Sequence, residues 1–185
     1  MTITKAVIPV AGLGTRFLPA TLAVSKVMIP IVDRPSIHYA IEELHQAGIT
    51  EVIFIISPDQ KSIKDYFQPR PDIETLLQNR GETELLKNIR SIQNLVSINF
   101  VTQESPLGLG HAIWCARRFV REQPFVVIAP DDLVLSTRGC LSQMMDVYDE
   151  VGGNLVAVEN VPKNQTHNYG ILDVTSDNGK IVGAK

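Results

Sequence analysis

The sequence predicts a Rossmann-like α/β fold, a mostly parallel central sheet flanked by helices, and three observations carry that expectation. Short β-branched runs alternate with longer amphipathic stretches, the order of strand–helix–strand units. The first apolar run, Ala6 to Val10, opens directly into the glycine-bearing loop VAGLGTR at 10–16. Phe125 to Ala129 is the most apolar short run in the chain, as a central strand buried on both faces would be.

Ala6 to Val10 is expected as the first strand. Pro35 to Ala47 carries Ile37, Ala40, Ile41 and Leu44 at helical spacing and stops at Gly48, so a helix there feeds a strand at Glu51 to Ile56. A single helix is expected over Ile73 to Gln93, a strand over Val96 to Val101 and a helix from about Gly110 to Val120. After the strand at 125–129, Leu141 to Tyr148 reads as helix and Leu155 to Val158 as strand. From Tyr169 the pattern is a hairpin, YGILDV and KIVGA about a turn at Ser176-Asp177-Asn178-Gly179. No linker interrupts these elements, so one domain is expected over residues 1–185.

The bulk properties narrow the function. A chain of 185 residues can bury roughly 70% of its unfolded surface, enough for a full core. Its net charge of -3 argues against a nucleic acid or an anionic membrane as partner, so any phosphate site must be local. Cys115 and Cys140 have no metal-ligand spacing and read as reduced thiols. No stretch reaches the ~18 apolar residues of a membrane span, and the N-terminus lacks a signal-peptide pattern, so a cytoplasmic protein is expected.

Three stretches carry chemistry. In VAGLGTR, Gly12 and Gly14 allow backbone N–H groups to converge on phosphate oxygens, Thr15 adds a hydroxyl, and Arg16 adds a permanent forked charge. By itself a GxG is equally well explained as a tight turn, and neither the dinucleotide fingerprint nor a P-loop is present. Next, LPATLAVSKVMIPIVDRP is broken by Pro19, Pro30 and Pro35 into ordered loop and extended pieces, and presents Lys26. Finally, APDDL places Asp131 and Asp132 where an apolar strand emerges, the edge at which open α/β folds bind ligands. Carboxylates there are hard donors suited to Mg2+.

Taken together, GxGTR, the following LPxTxxxSKxMxPxxDxPxI, the QESPLGLGHA stretch and the DD pair, in this order, resemble the sugar-1-phosphate nucleotidylyltransferases, over nearly the whole chain. The opening AVIPVAGLGTRFLPAT is most similar to the bacterial uridylyltransferase branch. The resemblance implies a nucleotidyltransferase fold and transfer of a uridylyl group from UTP to glucose 1-phosphate, giving UDP-glucose and pyrophosphate with Mg2+. It implies that Ala11 and Gly12 hold base and ribose, that Gln103 and Gly108 read the pyrimidine, and that Arg16 and Lys26 bind the triphosphate. Asp131 is then the metal ligand, and Tyr169-Gly170 contacts the sugar. A homo-oligomer is implied for the full-length family. His111 and Asp132 receive no role.

The pattern is departed from in two places. Leu22 stands where the uridylyltransferases carry a lysine, which is nearer the thymidylyltransferase branch and keeps dTTP open as donor. Family members also continue beyond GKIVGAK into further sugar- and metal-binding segments, so the chain is expected to hold the nucleotide-binding part of a longer fold. A non-catalytic, nucleotide-binding paralogue is the alternative. A dehydrogenase is disfavoured, because the third glycine and the ribose-binding acid are absent.

Overall fold

Strand β1 (Lys5–Pro9) lies between two neighbours, and everything else in the first part of the chain is arranged about it. The computed structural model describes residues 2–177 and 182–184. The chain divides into two compact units, Met1–Val151 and Gly152–Lys185.

In the first unit, β1 is followed by three 3-10 turns, Thr15–Phe17, Ala20–Leu22 and Lys26–Met28, and by the two-residue strands β2 (Pro30–Ile31) and β3 (Arg34–Pro35), which pair antiparallel. The prolines in this segment prevent any long helix, as expected. Helix α1 (Ser36–Gln46) follows, ending where Gly48 at φ 86° lets the Ile49 N–H reach the Leu44 carbonyl and the Gly48 N–H the His45 carbonyl. These two bonds close the helix end with a left-handed residue, for which glycine has no Cβ penalty. Strand β4 (Glu51–Ile56) matches the expected bounds. Then come α2 (Lys61–Phe67), α3 (Pro71–Asn79), α4 (Thr83–Gln93), β5 (Ser97–Thr102), α5 (Leu109–Cys115), α6 (Arg117–Val120), β6 (Val126–Val127) and α7 (Cys140–Val151).

The main sheet is parallel, in the order β5-β4-β1-β6. Side chains alternate across it. Ala6, Ile8, Val52, Phe54 and Ile56 pack on one face against Ile37, Ile41 and Leu44 of α1, Ile63 and Phe67 of α2, Ile92 of α4 and Leu141 of α7. Val7, Ile53 and Ile55 pack on the other against Ala112, Ala116 and Val120. Burial on both faces explains why β1 and β4 read as unbroken apolar runs. Phe54 is fully buried, with its ring stacked 5.2 Å from Phe67 and 5.6 Å from Phe100. Glu43 of α1 accepts the Leu141 N–H at 2.9 Å, satisfying an orphan donor in the first turn of α7.

The structure corrects several of the expected elements. Instead of one helix over 73–93 there are two, because Gly81 at φ 71° ends α3: the Glu82 N–H reaches the Leu77 carbonyl and the Gly81 N–H the Gln78 carbonyl. Phe125 to Ala129 is not a central strand. Only Val126–Val127 pair, with β1, and Val127 is 43% exposed, since no described strand lies on the outer side of β6. An apolar run in a parallel sheet looks the same whether one neighbour or two flank it. Leu155 to Val158 forms no strand, and Val156 and Val158 are exposed; β-branched composition does not make a strand without a paired edge. Helix α2 was not expected at all.

The second unit contains a 3-10 turn at Lys163–Asn168 and the antiparallel pair β7 (Val174–Asp177) and β8 (Val182–Ala184). A hairpin was expected here, but its first strand is displaced: Tyr169 to Asp173 are not strand, and β7 runs through Ser176-Asp177, which were expected to turn. Only Val182–Ala184 fall on the expected second strand, and the Asn178-Gly179 part of the expected turn lies outside the described residues.

Removing the Phe54 ring from between two others leaves a cavity that the parallel ladder cannot close. Phe54→Ala is expected to cost about 3–5 kcal/mol, read as the shift in denaturant midpoint at unchanged slope.

Candidate active site

The carboxyl ends of all four parallel strands lie at one edge of the sheet, and the loops that leave them carry the residues singled out above. The chain adds β4 and β5 on one side of β1 and β6 on the other, so the loops after β1 and β6 flank the point where strand order reverses. That is the crevice in which open α/β sheets bind ligands.

The loop after β1 starts at Val10, whose N–H continues the ladder to the Ile55 carbonyl at 2.9 Å. Ala11 is buried and Gly12 exposed. A Cβ placed on Gly12 would meet no protein atom within 4 Å, so the absence of a side chain there serves no contact inside the protein. Gly14 differs. It is left-handed (φ 62°, ψ 34°), and a Cβ on it would come within 3.0 Å of Thr21 Cγ2 and 3.1 Å of Lys26 Cβ. Its carbonyl accepts the Phe17 N–H at 2.9 Å and the Thr21 hydroxyl at 3.0 Å. The loop therefore folds back on the stem of Lys26, with Thr15 and Arg16 on the turn between. Arg16 is exposed, and its guanidinium has no hydrogen-bond or ion-pair partner among the described residues.

Lys26 is held from both flanks. Ser36, the first residue of α1, donates its hydroxyl to the carbonyl of buried Val27 at 3.2 Å. On the other side Gln60 spans three segments: its Oε1 accepts the Ser57 N–H at 2.9 Å, and its Nε2 donates to the Val10 carbonyl at 2.7 Å and to Ser25 Oγ at 3.4 Å. This amide ties the ends of β1 and β4 to the residue preceding Lys26. Sequence reasoning missed it, because a glutamine in a polar loop shows no pattern until the fold brings its partners together.

Across the crevice, Lys26 Nζ donates to Asp131 Oδ2 at 2.5 Å, joining residues 105 apart in sequence. The two side chains are 30% and 41% exposed, so the pair is open to solvent and salt. Asp131 occupies the turn after β6, in which the Asp132 N–H bonds the Ala129 carbonyl at 3.1 Å. Among the described residues no group of three or more His, Cys, Asp and Glu side chains is placed to enclose a metal ion.

Gln103 follows β5 and is 6% exposed, with its N–H on the Ile56 carbonyl at 2.8 Å. Its Nε2 donates to the Gly108 carbonyl at 3.2 Å and lies 2.9 Å from His111 Nδ1. Gly108 (φ 94°, ψ 177°) is in a region open essentially to glycine alone, and begins α5. Thus His111, for which the sequence offers no partner, has one. Tyr169 and Gly170 belong to the second unit, where Tyr169 is half exposed after the 3-10 turn. Their sugar-contacting role rests on the resemblance. A separate cavity of about 870 Å³ opens between α1, α2 and α4, and in its lining Arg34 pairs with Glu42 at 2.8 Å and His38 bonds Tyr66 at 2.8 Å.

The family description "Nucleotidyl transferase" matches residues 5–183. The chain belongs to the nucleotidyl transferase family. Among curated relatives, a UTP–glucose-1-phosphate uridylyltransferase of Bacillus subtilis (strain 168) is 45% identical over 95% of this chain and 60% of its own length. One of Staphylococcus epidermidis is 42% identical over 96% and 62%. A solved structure of a UTP-bound UGPase from Acinetobacter baumannii superposes with a TM-score of 0.90 at 42% identity, over 95% of this chain and 63% of that one. The chain therefore spans about 60% of the length of the relatives it matches. Among the described residues no helix is long and apolar enough to cross a membrane.

The two loop glycines should respond differently to a methyl group. Gly14→Ala is expected to lower stability by about 1–3 kcal/mol, because it combines a left-handed residue with the crowding against Thr21 and Lys26. Gly12→Ala should leave thermal melting unchanged or slightly raised and instead weaken binding of a nucleoside triphosphate, measured by calorimetry.

Proposed function

We propose that this chain binds UTP with Mg2+ and transfers its uridylyl group to glucose 1-phosphate, giving UDP-glucose and pyrophosphate. The observation that carries the reading is the Lys26–Asp131 contact over the strand-order reversal, beside an exposed glycine loop bearing Arg16, which has no partner among the described residues. It brings a cation and a hard carboxylate to the same mouth. The identities to uridylyltransferases support UTP over dTTP, although Leu22, where the sequence leans towards the thymidylyl branch, stands 80% exposed.

The residues present fit magnesium. Asp131, with Asp132 beside it, offers one or two carboxylates and no closed cage, which suits an ion that takes its remaining ligands from phosphate oxygens and water. When bound, the ion supplies charge neutralisation to the phosphates. The chain's own residues do the rest. The Gly12 backbone lies open to the nucleotide, Gln103 and Gly108 take the base edge, and Arg16 and Lys26 face the triphosphate. An oxygen of the sugar phosphate forms its bond to the α-phosphorus in line as the bond to the bridging oxygen breaks. The electron pair leaves on pyrophosphate, whose growing charge Arg16 and Lys26 stabilise. No side chain need be covalently modified.

Lys26→Ala and Asp131→Ala are each expected to lower pyrophosphate release from UTP and glucose 1-phosphate by about 10²- to 10³-fold, the usual worth of one placed charge. Full rates in both would refute these roles. UTP binding without UDP-glucose formation by the unmodified chain would favour a nucleotide-binding subunit.

A further inference from the structure

We propose that His111 is a positioning residue that fixes which end of the Gln103 amide faces the nucleotide, and that this orientation makes the site accept uracil and refuse cytosine. The inference rests on the proposed UTP site and concerns how that site chooses its base.

The Gly108 carbonyl decides the orientation first. A carbonyl can only accept, so the end of the Gln103 amide facing it at 3.2 Å is the NH2. That nitrogen carries two hydrogens and no lone pair, and its second neighbour is His111 Nδ1 at 2.9 Å. His111 Nδ1 must therefore accept, with the ring proton on its other nitrogen. Among the described residues the one other polar group near Nδ1 is the weakly polar Cys115 Sγ, 4.0 Å away. Both amide hydrogens are thus engaged, on acceptors held by the Gly108 turn and by the first turns of α5.

What remains is Oε1. No buried side-chain nitrogen or oxygen among the described residues lacks a partner. Oε1 meets no donor among the described residues, so it keeps access to solvent at the carboxyl edge of the sheet. Gln103 presents an acceptor there and nothing else. An inverted amide would set Oε1 against the Gly108 carbonyl and against the Nδ1 lone pair, two repulsions where there are now two bonds.

An acceptor of fixed position discriminates among pyrimidines. Uracil carries N3–H and can donate to it. Cytosine has a lone pair at N3, so the same approach sets acceptor against acceptor and loses the bond. Thymine carries the same N3–H as uracil and is not distinguished by this device. Without His111 a single 3.2 Å bond would hold the amide, and the rejection of cytosine should weaken while the ratio of UTP to dTTP stays put.

The test is calorimetric binding of UTP, dTTP and CTP, with Mg2+, to the full chain and its variants. His111→Ala is expected to shrink the UTP:CTP affinity ratio about tenfold and to leave UTP:dTTP unchanged. His111→Asn, which can return an acceptor near Nδ1, should recover most of the loss; His111→Leu, which fills the space without one, should not, and replaces the alanine variant if that fails to fold. A UTP:CTP ratio in His111→Ala or His111→Leu equal to that of the parent would overturn the proposal. Equal binding of UTP and CTP by the parent would also overturn it while leaving the transferase reading intact. A parent that binds none of the three would instead defeat the nucleotide site itself.

Discussion

Parallel pairing is the constraint from which the site follows. A strand paired in parallel cannot return through a tight turn, so each crossover passes over a face of the sheet and every strand leaves at the same edge. In this chain that rule gathers the loops after β1, β4, β5 and β6 along one rim. The reversal of strand order then separates the loop after β1 from the one after β6 and leaves a crevice that Lys26 crosses to reach Asp131. No residue of that pair is near the other in sequence. The hydrophobic clusters above and below β1 and β4 fix the rim, and the rim fixes the chemistry.

Within the rim, rigid and adjustable parts are separated. Gly14, Gln60 and Ser36 hold the backbone around Lys26 by steric fit and by uncharged hydrogen bonds, while the ammonium itself ends a flexible stem on a solvent-open carboxylate. Such an arrangement suits phosphoryl chemistry, where charge moves between atoms during the reaction and a cation must be close without being locked to one partner. Gln103 is of the opposite kind: the Gly108 carbonyl and His111 Nδ1 hold its amide in one orientation.

How much of this could be read from the amino acids depended on the range over which each signal acts. β4, α1 and the stop at Gly48 were legible because apolar spacing and a terminal glycine are local properties, and the candidate residues Arg16, Lys26 and Asp131 because their order along the chain matches a family pattern. Gly81 was equally local, yet a glycine inside an amphipathic run can be tolerated or can end a helix, and only its left-handed backbone decides. The position of Phe125 to Ala129 in the sheet, and the fate of Leu155 to Val158, turn on neighbours that composition does not encode. Gln60 escaped notice and His111 was given no role for the same reason: the partners of each are assembled by the fold.

The two ties at Lys26 also differ in what perturbs them. The Gln60 amide has no titratable proton and no net charge, so the spacing it sets between the strand ends and Ser25 is indifferent to acidity and to dissolved ions. The Lys26–Asp131 contact is a solvent-facing pair of opposite charges, and counterions within a Debye length of ~8 Å at physiological ionic strength compete for both members. Buffer composition can therefore loosen the grip of the cation on the carboxylate without altering the frame that carries it.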